Sequence, residues 1–367
     1  MEYTKIKNIN EYVSESVSPM NTPEQIFEMY SVPIYSTGHP EYLHGNEIAS
    51  NKVKVRKNDV LLCKINPRIN RVWIVADESA YPCIASSEWI VIRNSEYNPE
   101  FLAWYFRSPK FKQLMTSEVT GIGGSLTRAQ PKAVAEYPVP VIERQEQDVI
   151  TEILNKIYNI IDARRREINI LDDLIKARFV EMFGDENKHV LMKDICSIIT
   201  DGTHQPPKFV DKGIPFIFVS NITGNEITYD AEKFINQETY DELMKRTPLE
   251  IGDIILSTVG SYGHPAIVKS NRKFLFQRHI AYLKPRKEMI DSEYLHSAIL
   301  TDDVQRQIDA AVKGIAQKTL NLSAIKELEI PLPPISGQKE FVSFKNQVNK
   351  SKTNFNPFNF IAIIFLQ

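Results

Sequence analysis

No run of the 367-residue chain approaches the roughly 18 consecutive apolar residues that cross a bilayer, and no signal-type leader opens it. The closing stretch Phe360–Leu366 is apolar but too short to span. Cysteine is scarce. Cys63, Cys83 and Cys196 are odd in number and lack CxxC spacing, which speaks against a disulfide framework or a zinc cluster and makes a reducing, cytoplasmic setting the expectation. A GxxxxGK[ST] loop, an HExxH pair and a methyltransferase glycine fingerprint are all missing, and Asn356-Pro357-Phe358 lacks the second proline of an amino-methylating loop. Glu186-Asn187-Lys188 has nuclease-like ExK spacing but no Pro-Asp ahead of it. The seven histidines are spread singly. No catalysis, bound cofactor or metal is therefore expected of this chain. The net charge of −2 shows no global excess of cations for a polyanion.

What is present is a repeat. GIGGSLTRAQPKAVAEYPVPVIERQ, beginning at Gly121, returns as GIAQKTLNLSAIKELEIPLPPISGQ from Gly314, at an offset of 193 without a gap. Asp59-Val60-Leu61-Leu62 answers to Asp253-Ile254-Ile255-Leu256, and Glu100-Phe101-Leu102 to Glu293-Tyr294-Leu295. The period is far longer than a solenoid unit, so the chain holds two copies of one domain, which suggests a target with two parts.

Each copy opens with short β-branched and aromatic runs bounded by turn residues, among them Val60–Ile65, Val72–Val75 and Trp89–Ile92, then Asp253–Thr258, Ala266–Lys269 and His279–Leu283. A helix at helical apolar spacing follows in each, Pro99–Thr116 and Ser292–Val312. The expected class is α+β, with two similar mixed α/β domains (1–145 and 186–337) separated by long coiled-coil helices (146–185 and 338–367). From Glu146 to Phe183 there is no Gly or Pro. Ile150, Ile153, Ile157, Ile160, Ile168, Leu171 and Ile175 approximate a coiled-coil seam, on a helix of roughly 57 Å. Phe341, Phe344 and Val348 begin a matching seam after the second copy. An antiparallel arm puts Ile168–Phe183 beside Phe341–Val348 and leaves Ile150, Ile153, Ile157 and Ile160 exposed. From Lys352 the match fails, because Pro357-Phe358-Asn359 stands where Arg164-Arg165-Arg166 is required. Thr353–Gln367 reads as a tail foreign to the repeat.

The polar loops differ between the copies while the frame repeats. In the first they offer Lys64, Asn66, Arg68 and Arg71, the end of a basic run starting at Lys52, together with Ser125, Thr127 and Arg128. In the second they offer Thr203, His204, Gln205 and Lys208, then Ser257, Ser261 and Tyr262, then Gln277 and Arg278, then Lys313 and Lys318. Arginine and glutamine are side chains that pair with guanine and adenine edges. One scaffold with two loop chemistries reads as two heads for two half-sites.

These residues resemble the specificity subunits of type I restriction–modification systems. The resemblance runs from about residue 5 to about 350. It rests on the closing segments Pro138–Gln145 and Pro331–Gln338, the DGTH loop Asp201–His204, the strand start Gly252–Ser257 and the helix end Lys176–Gly184. It implies two target-recognition domains that read a bipartite sequence in double-stranded DNA, joined by helices that dock two DNA-methyltransferase (modification) subunits, with restriction/motor subunits completing the complex and no membrane involved. It further implies a non-catalytic subunit, with S-adenosylmethionine, ATP and Mg belonging to the partners. The missing distal half of the second helix departs from that pattern. The alternatives are a two-headed protein-binding adaptor and a non-functional or recombination-donor copy of the same family.

Overall fold

A computed structural model describes residues 2–76, 79–121, 127–186, 188–314 and 318–353. Ser125 and the tail beyond Thr353 lie outside the described residues. The chain divides into two compact units, Met1–Asp162 and Ala163–Gln367.

In the first unit the central strand is β1 (Val60–Cys63), flanked antiparallel by β2 (Val72–Ile74) and β3 (Trp89–Ile92). All four β1 residues are buried, because both faces of this uninterrupted apolar run are covered. Val60 and Leu62 face α1 (Pro99–Arg107) and α2 (Pro109–Ser117) through Phe101, Phe106 and Phe111, whereas Leu61 and Cys63 face Tyr30, Trp73 and Trp89. Beside this sheet lies a five-stranded one, in the order Ser16–Val17, Lys52–Lys54, Cys83–Ala85, Ile26–Tyr30, Glu41–His44. The helix expected over Pro99–Thr116 is two helices. Ser108 adopts an extended backbone, its side chain accepts from the Phe111 N–H, and Pro109 has no N–H to continue the first ladder. Thr301 does the same in the second unit, accepting from the Val304 N–H.

Helix α3 (Arg144–Phe183) crosses the boundary between the units. Its first part is held to the first domain by a polar row at helical spacing: Gln147 and Thr151 are buried, and Asn155 bridges Trp104 Nε1 (2.8 Å) and Glu100 Oε2 (2.6 Å). The expected apolar seam is therefore turned to the side of this contact. Ile153 and Ile160 are exposed, joined by Val149, but Ile150 and Ile157 are half-buried, Ile150 against the domain core.

The second unit repeats the frame. Strand β4 (Cys196–Asp201) is followed by the central β5 (Ile254–Ser257), β6 (Pro265–Ile267) and β7 (Ile280–Pro285), in the order β4-β7-β5-β6. Helices α4 (Ser292–Ile299) and α5 (Asp302–Ala311) cover one face, and α6 (Ile335–Thr353) leaves the domain. Here the end of α3 packs beside α6 in the antiparallel sense expected. Phe179 and Phe183 meet Phe341 and Tyr294, Arg178 lies over the Phe344 ring, and Asp172 pairs with Lys352 at 2.6 Å. Ile168, Leu171 and Ile175 are half-buried along this stretch.

Two details correct the ungapped repeat. Gly121 (φ 111) and Gly314 (φ 105) correspond at an offset of 193. Further on, Asn66 N–H donates to Thr127 O (2.8 Å) as Gly260 N–H donates to Lys318 O (3.1 Å), which sets the offset to 191. The second copy is thus two residues shorter between these anchors, and Gln147, not Gln145, is the counterpart of Gln338. Each of these glutamines accepts from the residue that caps the helix following the sheet: Asn98 N–H to Gln147 Oε1 and Asp291 N–H to Gln338 Oε1, both 2.8 Å.

The frame also differs in one buried charge. Asp59 takes a bidentate pair from Arg93 (Nε and Nη2, each 2.7 Å) and the Arg56 N–H. Asp253, its counterpart, takes the Glu250 N–H and the Tyr282 hydroxyl on Oδ2, while Lys284, in the place of Arg93, reaches only 4.0 Å and pairs with Glu250. No described residue donates to Asp253 Oδ1, and burial raises its carboxyl above its ordinary 3.8. An acid whose folded pKa is raised contributes stability below its unfolded pKa and loses it as pH climbs through the folded one. Lys284→Arg, restoring the fork seen at Arg93, is expected to raise the melting temperature at pH 7 by a few degrees and to shrink the stabilisation the wild type gains on acidification. Thermal unfolding at pH 7 and pH 5 checks both; an unchanged melting temperature at pH 7 refutes it.

Candidate nucleic-acid interface

The turn between β1 and β2 carries Lys64, Asn66, Arg68 and Arg71, and main-chain bonds hold it against two neighbours. Lys64 N–H donates to Glu88 O (3.0 Å), Ala129 N–H donates to Lys64 O (2.9 Å), and Ile65 bridges Arg128. The second unit builds the same mesh. Thr258 N–H donates to His279 O (2.9 Å), Leu320 N–H donates to Thr258 O (2.8 Å), and Val259 bridges Thr319. The left-handed positions of the turn are Asn66 (φ 47) and Asn70 (φ 51) in the first copy and Gly260 (φ 74) and Gly263 (φ 80) in the second. Asparagine and glycine are the residues that tolerate this backbone. Each domain therefore presents a rim of three adjacent segments on a common main-chain frame.

In the first rim Arg68 is exposed, and Lys64, Asn66 and Arg71 are half-buried, Arg71 Nη1 lying 4.0 Å from the Cys63 thiol. Burial raises that thiol, with Arg71 opposing. Arg128 pairs with Glu88 (3.2 Å), a residue that no motif in the sequence marks. Thr127 is buried, so what it supplies is the carbonyl that holds Asn66. The basic run does not act as one patch. Lys52 is buried and donates to Ser50 O and Oγ (2.8 and 2.6 Å), and Lys54 pairs with Glu15 at 2.9 Å.

In the second rim Ser261, Lys313 and Lys318 are exposed, and Tyr262 donates to Asp309 Oδ1 (2.8 Å) beneath the Lys318 ammonium. Ser257 is fully buried, its Oγ accepting the His264 N–H (2.9 Å), so it shapes the turn and offers nothing to a ligand. The DGTH segment ends β4 and locks onto the β7 turn: Thr203 N–H donates to Phe276 O (2.9 Å) and Arg278 N–H to Thr203 O (3.0 Å). Gly202 is required there, since a Cβ would lie 2.3 Å from Phe276 O. Asp201 pairs with His204 (2.9 Å) and with Arg246. Gln277 is half-buried, whereas His204, Gln205, Lys208 and Arg278 are exposed. Burial lowers His264, and burial together with Arg278 lowers His279, so at neutral pH both are uncharged imidazoles able to donate and accept.

The residues expected to dock partners divide. Phe341 and Val348 are buried and serve the interior of the second unit. The large apolar side chains of α3 that remain exposed are Val149, Ile153, Tyr158 and Ile160 in the first unit and Ile170, Leu174 and Val180 in the second. Among the described residues no helix is long and apolar enough to cross a membrane, and no group of three or more His, Cys, Asp and Glu could hold a metal ion.

Residues 185–356 match the family model for the type I restriction modification DNA specificity domain. Over 285 residues the chain is 22% identical to the type I restriction enzyme EcoBI specificity subunit of Escherichia coli, covering 69% of this chain and 59% of that one. The chain thus spans less than two thirds of that relative. Over 369 residues it is 21% identical to the MjaVIII specificity subunit of Methanocaldococcus jannaschii, covering 92% of this chain and 83% of that one. The type I restriction–modification S subunit of M. genitalium has a similar fold, with a TM-score of 0.52 at 13% identity over 96% of this chain and 90% of that one. A chain from a type I system solved for its assembly and conformational transition also gives a TM-score of 0.52, at 18% identity over the same shares. Residues 185–356 therefore carry a type I restriction modification DNA specificity domain, and the chain as a whole is similar to type I restriction–modification specificity subunits in sequence and in fold.

Proposed function

We propose that this chain is the non-catalytic, DNA-reading subunit of a type I restriction–modification complex. Each rim contacts one half of a bipartite site in double-stranded DNA. Arg68, Arg71 and Lys64 hold phosphates in the first half, and Arg278, Gln205, Lys313 and Lys318 supply polar contacts in the second, with base edges read in the major groove. The exposed apolar faces of α3 dock two DNA-methyltransferase subunits, with restriction/motor subunits beyond them. S-adenosylmethionine, ATP and Mg act in those partners.

The observation that carries this reading is the shared mesh beneath divergent rims. One main-chain frame is built twice, at Lys64 and at Thr258, and the side chains it presents differ at nearly every position. A domain duplicated for a single ligand has no reason to change only its rim. The low net charge favours the adaptor reading, and one titration separates the two. The purified chain is expected to bind a pool of random duplexes with log affinity falling linearly as log salt rises, and to transfer no methyl group from S-adenosylmethionine alone. Binding that ignores salt, or methyl transfer by the isolated chain, sinks the proposal.

A further inference from the structure

The two rims share a position that sequence comparison at a single offset conceals. Glu88 and His279 stand at the same place in the mesh, each giving its carbonyl to the first residue of the neighbouring turn, Lys64 and Thr258. Their main chains are fixed alike, while their side chains are of different chemical kinds. Glu88 sits at the turn into β3, its carbonyl on the Lys64 N–H and its carboxylate against Arg128, with 28% of its side chain exposed. A carboxylate on a surface that must approach phosphates raises the cost of binding unless it meets a donor there. Arg128 holds it in the free protein at 3.2 and 3.3 Å, a pairing that orients the carboxylate without burying it. On duplex DNA the donors available to such a group are the exocyclic amines of the bases, cytosine N4 above all.

We infer that position 88 in the first head and its counterpart 279 in the second are specificity-determining positions, Glu88 accepting from the exocyclic amine of a cytosine in the first half-site, with Arg128 as its positioning residue. The inference rests on the proposed function. At position 279 an imidazole replaces the carboxylate, so the second half-site is read there by a group that both donates and accepts.

The test is selection of random duplexes by the full-length chain, wild type against Glu88→Gln, Glu88→Ala and His279→Ala, followed by sequencing of the bound pool. Both Glu88 variants are expected to relax or switch preference at one base pair of one half-site, by about tenfold, with the other half-site unchanged. His279→Ala is expected to do the converse. A uniform gain or loss of affinity across all sequences would mean that Glu88 only restrains Arg128, and it overturns the inference, as does an unchanged consensus. Thermal unfolding of each variant separates these outcomes from misfolding, since both side chains are partly exposed and neither anchors a core. If the wild type itself selects no consensus, it is the proposed function that falls.

Discussion

Phe341→Ala is expected to destabilise the second unit by about 3–5 kcal/mol, the range for deleting a buried phenyl ring. Phe341 has no exposed surface, and its ring meets Phe179 at 5.2 Å, Phe183 at 5.9 Å and Tyr294 at 6.4 Å. These four side chains come from three elements, the end of α3, the start of α6 and α4, so the cavity would open where the helices join the domain. Neighbouring rings held by different helices cannot collapse into it without shifting a helix. Phe344→Ala, one turn along and only half-buried, is expected to cost well under half as much. Denaturant unfolding of the two variants checks the order. Equal losses would mean that α6 is held by its outer face and not by this cluster.

The frame was legible in the sequence because its signals are apolar and local. Val60–Cys63 and Ile254–Ser257 are uninterrupted buried runs, and the α3 seam continues to Phe183 without a breaker. The capping residues Asn98 and Asp291 each precede a helix and accept two of its first N–H groups. The two-residue shift was hidden because glycine and proline anchors invite an ungapped match, whereas register is set by which carbonyl each N–H finds. The contact of α3 with the first domain was hidden for another reason. It runs through Gln147, Thr151 and Asn155, and hydrophobic periodicity is blind to buried polar rows.

One difference between the heads could not be read at all. In the second unit the strand Cys196–Asp201 pairs along β7. In the first, the Asn10 side chain does part of that work, its Nδ2 donating to Val91 O (3.0 Å) and its Oδ1 accepting from Arg93 N–H (2.9 Å), with the Glu11 N–H on Arg93 O (2.8 Å) beside it. A side-chain amide standing in for a strand leaves no period-2 pattern behind. The rim was half legible for a similar reason. Residue types marked Arg68, Arg71, Arg278 and Lys318, but burial decides that Ser257 and Lys52 serve the fold. Glu88 and His279 carried no signal, since each matters through the main-chain frame beneath it.

Replacing Arg68 and Arg71 together by alanine is expected to flatten the salt dependence of DNA binding. Deleting one cation that holds a phosphate lowers the slope of log affinity against log salt by about 0.9, so the pair is expected to lower it by nearly 2. Affinity at low salt should fall at least about tenfold, while the consensus sequence stays as it is, because phosphate contacts position and do not specify. Lys52→Ala is the control that separates local from general charge. It removes one charge from the same basic run, against two in the arginine variant, but Lys52 is committed to Ser50 in the interior, so its loss should reach the slope only through stability. The measurement is fluorescence anisotropy of a labelled duplex titrated at several salt concentrations for wild type and both variants. If Lys52→Ala flattens the slope as much per charge removed as the double arginine variant does, the attraction is a diffuse field and the rim of the first head has no special part in it. If neither changes it, Arg68 and Arg71 are solvated surface, and the phosphate-binding role passes to the second head.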